Sequence, residues 1–469
     1  MNRKTFLKYG FFVPAGIQCA LGKDSKNSTK ANFKYDVVVV GGGPAGFSAA
    51  IASAECGAKT LLVEDSGELG GSGGTGCVNH WLGGRTFDCQ KFVVGGIFKR
   101  LVLDAEKEKI ARIPMPNKQK YQPFGWLAEH LLPGIPFDGV RMAEFLDRKT
   151  LQAGVDILFF TRFVDCKTQD GKITEITLHN KGGFFTVSAD KFIDATGDAD
   201  VATLAGVPFK KGRAEDNKTA PSTLEFQVSG VDGKKLSEYI NTNDSPRFLN
   251  EIKQLRERGI WKFPYDRFIS VQLFDEDNYM INTSRLVGVD GTDGKSVSKA
   301  MVDGRKETME LFAIIKKHIP GFENARISRI ASKLGVRETR RISAKFTLKV
   351  NDLVDDVSFK DTIGFSCYIW DLPDPNKPSH QPMDGKKMRK GSIIPLPFSM
   401  MVPKNISNLT CPGRCVSAER QALGAIRVMA PCMAMGEAAG VNAATGLSGE
   451  ALRNKLRERG CIVDIDKIM

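Results

Sequence analysis

The clearest pattern in the chain is an unbroken apolar run, Val37 to Val40, followed by a glycine-rich turn at residues 41–46. A segment rich in alanine follows, and a second apolar run at residues 60–63 ends at Glu64. Short, fully apolar runs bounded by turns are typical of strands buried on both faces. Proline at the start and Gly57 at the end are common helix boundaries. The pattern therefore predicts a strand–helix–strand unit over residues 33–66.

Other periodic segments extend this organisation along the chain. The pattern predicts an amphipathic helix at 140–153, a strand at 155–160, a hairpin at 173–187 with its turn at 180–183, a strand at 191–194 that enters a turn, and a helix at 298–318. From residue 393 onward, strand, glycine turn and helix return. Residues 100–138 are rich in proline and predict an irregular insertion.

These elements predict an α/β fold: a three-layer, Rossmann-like nucleotide-binding domain with an inserted α+β cap. The predicted nucleotide-binding domain is discontinuous and comprises residues 33–209 and 395–469. Residues 210–394 lack further strand–helix–strand units and form the predicted substrate or cap domain. Residues 1–32 form a predicted signal peptide and linker.

The glycine turn carries the strongest chemical signal. Its sequence contains Gly41, Gly43, Pro44, Ala45 and Gly46. Glycine at the first position allows the tight turn, at the second it lets a pyrophosphate approach the backbone, and at the third it lets helix and strand pack closely. The helix N-terminus that follows attracts phosphate groups. The turn therefore predicts a dinucleotide-binding site.

Acidic and glycine-rich positions after the second strand fit the same ligand. Glu64 lies where a carboxylate accepts hydrogen bonds from a ribose diol, and Asp65 follows it. The glycine-dense loop 66–76, which includes Gly71, indicates close approach of the backbone to something flat or charged. A flexible loop is the alternative interpretation.

Composition narrows the classes of partner. The chain has 469 residues, of which 42% are hydrophobic, and a formal net charge of +13. A large core is therefore expected, and disorder is not. The basic residues are scattered, apart from a cluster at 386–390 that predicts a solvated loop. Because no zinc-finger spacing or aromatic RNA-binding motif accompanies them, we expect no nucleic-acid partner.

The ten cysteines show no C-x-x-C pair and no regular spacing. This argues against iron–sulfur clusters and structural zinc, so no metal is predicted. Cys411 and Cys415 flank a glycine turn and could form a disulfide after export. Buried free thiols are the alternative that we favour.

The N-terminus has the order of a secretory signal: basic residues 3–8, an apolar stretch to residue 22, and a polar linker. It is similar to a twin-arginine signal in which Lys4 replaces the second arginine, so we expect an exported, periplasmic protein. A lipoprotein anchor at Cys19 is the less favoured alternative. No later segment is apolar and long enough to predict a transmembrane helix.

Several motifs occur in a characteristic order along the chain. They are Gly41–Gly46 with Glu64, Asp194–Asp198, Leu334–Ile342, Gly413–Ser417, Ala422–Met429 and Gly436–Gly440. In this order they resemble the FAD-dependent oxidoreductase family of the glutathione-reductase-like flavoprotein superfamily, many of whose bacterial members are exported. The resemblance covers nearly all of the chain after residue 32.

The resemblance implies FAD as the cofactor. It places Gly197 and Asp198 near the adenosine diphosphate half, and Gly413 and Arg414 at a second phosphate or ribitol contact. It places residues 426–429, with Val428 and Met429, under the isoalloxazine ring. Related succinate-type flavoproteins attach FAD through a histidine after the ribose strand. Ser72 or its neighbours stand there in this chain, so we expect non-covalent FAD.

Only one dinucleotide motif is found, so no NAD(P)H domain is predicted. Electrons are expected to pass from a small polar substrate, possibly anionic, to the flavin and then to an unidentified acceptor. The catalytic candidates are His80 as general base, Arg337 and Arg340 as anion-binding residues on one face of a helix or turn, and Arg427 as a group that polarises a substrate oxygen.

Three alternatives remain open from the sequence. The arginines of residues 337–341 could instead form a structural network with Glu338. The protein could be a flavin-dependent reductase of an activated C=C bond, supplied by a cytochrome or quinol, with Arg340 as proton donor. It could also be a non-catalytic binding protein that retains FAD only for structure.

Overall fold

A computed structural model describes residues 33–116, 118–122, 133–355, 357–382, 388–389 and 391–468. The predicted signal peptide, with Cys19, lies outside the described residues, as does most of the basic cluster 386–390. Within the described ranges, no helix is long and apolar enough to cross a membrane.

Seventeen strands are present in the described part of the chain. In chain order they are β1 (Phe33–Val40), β2 (Thr60–Val63), β3 (His80–Trp81), β4 (Ile135–Pro136), β5 (Asp156–Leu158), β6 (Arg162–Gln169), β7 (Lys172–Asn180), β8 (Gly183–Asp194), β9 (Phe209–Lys211), β10 (Phe226–Ser229), β11 (Ser270–Gln272), β12 (Tyr279–Ile281), β13 (Arg326–Ile330), β14 (Arg340–Ile342), β15 (Thr362–Ser366), β16 (Ile394–Pro397) and β17 (Leu409–Thr410).

The described residues also form eleven α-helices. They are α1 (Pro44–Glu55), α2 (Gly96–Lys107), α3 (Gly139–Gln152), α4 (Asp200–Leu204), α5 (Gly233–Asn243), α6 (Leu249–Glu257), α7 (Gly294–His318), α8 (Val350–Val354), α9 (Arg420–Leu423), α10 (Met429–Thr445) and α11 (Gly449–Glu458).

The main sheet has the strand order β5-β2-β1-β8-β7-β6, with β17 beside β8. Strand β1 lies parallel to β2 and β8, whereas β6, β7 and β8 run antiparallel. Residues Val37–Val40 are buried on both faces of the sheet. Helices α1 and α10 cover one face, and a cluster of buried residues that includes Val201, Ala205 and Cys415 covers the other. The parallel centre with helices packed on it confirms the predicted α/β, Rossmann-like fold.

A second hydrophobic core belongs to the part of the chain between β9 and β14. The antiparallel sheet β11-β12-β10-β13 packs against α5, α6 and α7 through aromatic side chains such as Phe226, Tyr279 and Phe322. Leu348, Leu353 and Ile363, which the sequence assigns to the cap, pack instead in the core of the nucleotide-binding unit.

Several local predictions can be compared directly with the structure. Helices α3 and α7 and the β7–β8 hairpin confirm the periodic patterns. The prediction of an irregular insertion over 100–138 is wrong at its start, because α2 extends to Lys107. Ile97, Leu101 and Ala105 recur at helical spacing and are buried. Cys411 and Cys415 are buried free thiols, so the disulfide alternative is not observed.

Candidate functional site

A cavity of about 840 Å³ opens at the carboxyl ends of β1, β2 and β8, where α/β sheets bind their ligands. Residues from the sheet, α1, the glycine loop and the segment around β14 all contribute to its wall. The residues predicted from sequence that line it are Gly41, Gly43, Pro44, Ala45, Glu64, Asp65, Gly71, Gly197, Asp198, Arg340, Gly413, Arg414, Arg427 and Met429.

The glycine turn has the geometry that a phosphate site requires. Gly41 has φ +101°, and a Cβ there would lie 2.5 Å from the Ala195 carbonyl oxygen. Gly46 does not line the cavity; a Cβ on it would lie 1.7 Å from the Gly41 carbonyl oxygen, so it serves packing. At Gly43, the nearest atom to an added Cβ is Gly71 Cα at 4.0 Å. The backbone at Gly43 is therefore open to a ligand.

Glu64 is the most constrained acid of the site. It is 4% exposed, and its carboxylate accepts the Gly42 N–H at 2.7 Å and the Ser66 N–H at 2.8 Å. Lys333 reaches it from the cap, with Nζ 3.0 Å from Glu64 Oε1, and also pairs with Asp65. Lys333 lines the cavity as well, so a cation lies beside the two acids predicted at the cofactor site.

A second group of contacts holds the turn after β8. Asp198 Oδ1 accepts from Arg414 Nη2 and from Thr339 Oγ1, both at 2.6 Å. Arg414 also donates to the Gly197 carbonyl oxygen at 2.9 Å. Arg340 pairs with Asp200 at 2.8 Å. Arg340 and Arg414 therefore fix this turn and add positive charge to the cavity wall.

The helix or turn predicted over residues 337–341 is not observed, because Arg340 and Arg341 belong to the strand β14, in which successive side chains point to opposite faces. Arg341 pairs with the fully buried Glu338 at 3.2 Å, and Arg420 pairs with the same carboxylate at 2.6 Å. A structural Arg–Glu network therefore exists, but Arg337 and Arg340 lie outside its ion pairs.

The opposite wall of the cavity contains the start of α10. Met429 lines the cavity there, whereas Val428 caps the helix without lining it. Arg427 also lines the cavity, and its Nη2 donates to the Asp371 carbonyl oxygen at 2.8 Å and to Oδ2 of Asp371 at 3.2 Å. The wall at this end of the cavity is therefore charged.

Arg337 lies behind this wall. Its Nη1 donates to the Pro221 carbonyl oxygen at 2.6 Å and to Thr223 Oγ1 at 2.8 Å. Burial, together with repulsion by Arg285 and Arg427, lowers the pKa of Arg337 to about 9. Arg337 is thus a buried guanidinium behind the cavity wall, whose charged form is destabilised by its surroundings.

His80 does not line this cavity, contrary to the position predicted for it. The residue is 1% exposed in the short strand β3, which pairs with β4. A Cβ on Gly134 would lie 2.1 Å from His80 Nε2, so the ring packs against that backbone. The pairing of β3 with β4 therefore places the imidazole in the protein interior.

Sequence reasoning missed Lys333 and Asp200 in the cavity wall and, behind the wall, Arg285, Asp371 and Glu225. Lys333 is 269 positions from Glu64 along the chain. No motif links it to that acid, and a lysine after a short strand is unremarkable by itself. Only the folded cap brings these residues to the nucleotide-binding unit.

The residues present fit FAD. The volume of the cavity lies within the range of about 300–1,000 Å³ typical of cofactor sites. Two helices, α1 and α10, begin at its wall, and helix N-termini favour phosphate and other anionic groups. Lys333, Arg340 and Arg414 offer cations for a pyrophosphate, and Glu64 offers a ribose acceptor.

Comparisons with known proteins agree with this geometry. The sequence profile of the family described as FAD dependent oxidoreductase matches residues 36–462. A thiamine thiazole synthase of Aeropyrum pernix is 27% identical over 214 residues, which cover 42% of this chain and 67% of that protein. The mitochondrial dihydrolipoyl dehydrogenase of Dictyostelium discoideum is 30% identical over 216 residues, covering 43% of this chain and only 38% of that protein.

Among solved structures, the chain is similar to a geranylgeranyl bacteriochlorophyll reductase-like protein from Thermoplasma acidophilum. The TM-score is 0.43 and the identity 14%, with 91% of this chain and 83% of the other chain covered. The family profile extends over most of the chain, and the chain therefore belongs to the FAD dependent oxidoreductase family, as an oxidoreductase enzyme with FAD as its cofactor.

Proposed function

We propose that this enzyme is a dehydrogenase that oxidises a small polar organic substrate bearing a hydroxyl or amine group. FAD is bound non-covalently, no NAD(P)H domain takes part, and a separate electron acceptor reoxidises the flavin. The observation that carries this proposal is the charged end of the cavity, where Arg427 forms part of the wall and is held by Asp371.

This end of the cavity favours a polar substrate over a long hydrocarbon one. Arg427, Arg337, Asp371 and Tyr368 interact with one another there, and Tyr368 Oη donates to Asp371 Oδ2 at 3.3 Å. An apolar chain placed against Arg427 would remove the solvent from its charged group, which is costly in a buried site.

Named residues would hold the cofactor. The turn 41–46 and the start of α1 would bind the pyrophosphate, Glu64 the ribose, and the start of α10 the ring. When bound, FAD supplies an acceptor for two electrons and a proton. The protein's own task is to bind and orient the substrate and to move its hydroxyl or amine proton.

We assign the orientation of a substrate oxygen to Arg427. Among the described residues, it is the one arginine at this end that lines the cavity. The group that we assign to accept the proton is the carboxylate of Asp371, which pairs with Arg427 at 3.2 Å. The buried position of His80, outside the cavity wall, does not support the general-base role predicted for it.

One observation favours a second candidate, a reductase of an activated C=C bond. Arg340, the proton donor expected for such an enzyme, lines the cavity and pairs with Asp200 at 2.8 Å. Such an enzyme would take electrons from a cytochrome or quinol. It would be reduced by dithionite and reoxidised by an activated alkene.

Anaerobic flavin bleaching tests the main proposal. Purified holoenzyme is mixed with sugars, polyols, hydroxy acids and amines, and the flavin absorbance is followed. Bleaching by a member of this panel, with none by NADH or NADPH, supports a dehydrogenase. Rapid stoichiometric bleaching by either nucleotide would contradict it. Acid precipitation should release FAD into the supernatant; yellow colour in the pellet would contradict non-covalent binding.

We also propose that the protein is exported through the basic and apolar residues 1–22. Cell fractionation of the expressed full chain, followed by N-terminal sequencing of the mature protein, tests this. A protein that stays in the cytoplasmic fraction with residues 1–22 intact would contradict it.

A further inference from the structure

A second cavity, of about 770 Å³, lies beside the strand pair β9–β14. Among the described residues, it has no lining residue in common with the FAD cavity. Successive side chains of a strand point to opposite faces, and accordingly Arg340 lines the FAD cavity whereas Arg341 lines the second cavity. Sites for small molecules typically have volumes of about 300–1,000 Å³, so the second cavity is large enough for such a ligand.

Two buried donors in the wall of the second cavity have no acceptor. Trp370 and Arg341 both line it, and each residue is 6% exposed. Within the described ranges, neither the indole N–H of Trp370 nor the Nε–H of Arg341 makes a hydrogen bond. A buried donor without an acceptor is unfavourable, and most buried polar groups of native proteins have a partner. Two such donors at one cavity indicate a ligand with acceptor oxygens.

A pair of hydroxyl groups adds a third donor. Thr347 Oγ1 and Ser417 Oγ lie 2.8 Å apart, and both residues line the second cavity. Only one of the two hydroxyl protons can lie between the two oxygen atoms, so the other proton is left for a further acceptor. The wall of the second cavity therefore combines an indole, a guanidinium and a hydroxyl donor.

The charge around Arg341 is positive in balance. Arg341 and Arg420 both line the cavity and pair with the same carboxylate, that of Glu338, at 3.2 Å and 2.6 Å. Burial and repulsion by Arg420 lower the pKa of Arg341, although Glu338 opposes the shift. One anion thus serves two cations. Lys210 and Lys404 add positive charge at exposed positions of the wall.

The acids of the wall are bonded to other groups. Among the described lining residues they are Glu215, Asp374 and Glu419. Glu215 and Asp374 pair with Arg213 at 3.3 Å and 3.1 Å. The carboxylate of Glu419 accepts the Val350 N–H at 2.8 Å, at the start of α8. These acids therefore leave the unpartnered donors without an acceptor, and they limit the negative charge that a ligand can carry.

We propose that the second cavity binds a small organic carboxylate, at a site separate from the FAD cavity. The two oxygens of a carboxylate together accept about four hydrogen bonds, which suits three donors. Its single negative charge matches the one cation that Glu338 leaves unbalanced between Arg341 and Arg420. A phosphate dianion would meet stronger repulsion from the acids of the wall. Apolar side chains, including those of Ile342 and Ala344, line the cavity and would contact the organic part of the ligand.

Calorimetric titration of the FAD-loaded protein tests the proposal. Acetate, butyrate and benzoate are titrated at constant ionic strength, with acetamide, butanamide and benzamide as neutral counterparts and inorganic phosphate as a second anion. We expect saturable binding of at least one carboxylate, at least about tenfold tighter than that of its amide. Absence of saturable carboxylate binding would overturn the proposal, and tighter binding of phosphate would overturn the assignment to a carboxylate.

A tryptophan variant assigns the binding to the second cavity. Trp370→Phe keeps a buried aromatic ring but removes the indole N–H, so carboxylate affinity should fall by about tenfold. Trp261→Phe is the matched control and should leave the affinity unchanged, because that indole N–H donates to the Tyr265 carbonyl oxygen and Trp261 does not line the cavity. FAD content and thermal melting establish that both variants are folded. Equal affinity of Trp370→Phe and the wild type would contradict the assignment.

Two further variants decide the matter if Trp370→Phe does not fold. Lys404→Met, at an exposed position of the wall, should weaken carboxylate binding by about threefold and leave amide binding unchanged. Arg427→Met alters the wall of the FAD cavity and should leave carboxylate binding unchanged. Loss of carboxylate binding in folded Arg427→Met, with full binding in Lys404→Met, would place the anion in the FAD cavity and overturn the proposal. Neither result depends on whether a substrate reduces the flavin.

Discussion

Gly436 of α10 packs directly on the backbone of Ala45 in α1: a Cβ on Gly436 would lie 2.0 Å from the Ala45 carbonyl oxygen. One turn further, a Cβ on Gly440 would lie 2.2 Å from the Ala49 carbonyl oxygen. Small residues on both helices allow this close approach. It brings the starts of α1 and α10 to the wall of the same cavity, so this helix contact helps to determine the geometry of the cofactor site.

Gly436→Ala should therefore destabilise the protein and weaken FAD retention. The added methyl group cannot be accommodated without moving the two helices apart, and overpacking of this kind costs about 1–3 kcal/mol. Thermal melting and the FAD-to-protein ratio measure the effect. Gly294→Ala is a matched control, because a Cβ at Gly294 meets no atom within 4 Å. Equal stability of both variants would contradict the inferred packing.

A second prediction concerns the ion pairs between Lys333 and the acids Glu64 and Asp65. Lys333→Met removes the cation beside Glu64 and leaves Asp65 with only its 3.8 Å pair to Arg162, so FAD affinity should fall by about 1–2 kcal/mol at low salt and by less at high salt. Fluorescence titration of apoprotein with FAD measures this at two salt concentrations. Lys345→Met, at an exposed position, is the control. Salt-independent or unchanged affinity would contradict the role of Lys333.

Glu64→Ala should reduce FAD affinity by about 1–3 kcal/mol, because ribose hydroxyls would lose their acceptor. The structure adds that Glu64 also accepts hydrogen bonds from Gly42 and Ser66. The variant should therefore also melt at lower temperature, even without FAD. A loss of stability with unchanged FAD affinity would show that the carboxylate serves only the fold.

The local parts of the site were predictable from sequence because their residues lie close together in the chain. The strand 37–40, the turn 41–46 and Glu64 belong to one strand–helix–strand unit, whose hydrogen bonds and packing are set by about thirty consecutive residues. In such a turn, only glycine leaves room for close contacts of the backbone with a ligand or a neighbouring element. The spacing of the glycines along the sequence therefore predicts the geometry of the turn.

The remaining parts depend on contacts between distant segments. Arg337 meets Arg285 and Arg427 only after the cap sheet has packed on the nucleotide-binding unit, and Lys333 reaches Glu64 in the same way. His80 shows the converse: its position after the glycine loop suggested a ligand contact, but pairing of β3 with β4 draws it into the interior. Proximity along the chain does not determine the direction of a side chain.

His80 offers a direct comparison of a structural role with a catalytic one. His80→Ala removes a buried ring packed on Gly134, so it should lower stability by about 2–4 kcal/mol while leaving the rate of flavin reduction per bound FAD nearly unchanged. Stopped-flow reduction and thermal melting measure the two effects. The exposed His179→Ala should change neither. A rate reduced by about 10²–10⁴ in folded His80→Ala protein would restore the general base.

Glu225 should make the stability of the protein depend on pH in a specific direction. The side chain is 2% exposed and Oε2 has no hydrogen-bond partner. Burial raises its pKa to about 8 from an ordinary 4.5, although Arg285 and Arg337 oppose the shift. In the folded protein the carboxyl group therefore keeps its proton at neutral pH, whereas in the unfolded chain it is ionised.

The contribution of this protonated group to stability is complete below the unfolded pKa of about 4.5, and it is lost as pH rises to about 8. Glu225→Gln keeps a neutral side chain at every pH, so its melting temperature should rise relative to that of the wild type between pH 5 and 8 and then remain offset. Thermal melting of the FAD-saturated proteins across this range measures the difference, with the exposed Glu257→Gln as control. Parallel curves for the wild type and Glu225→Gln would show that Glu225 is already ionised at neutral pH, as a direct partner of Arg285 and Arg337.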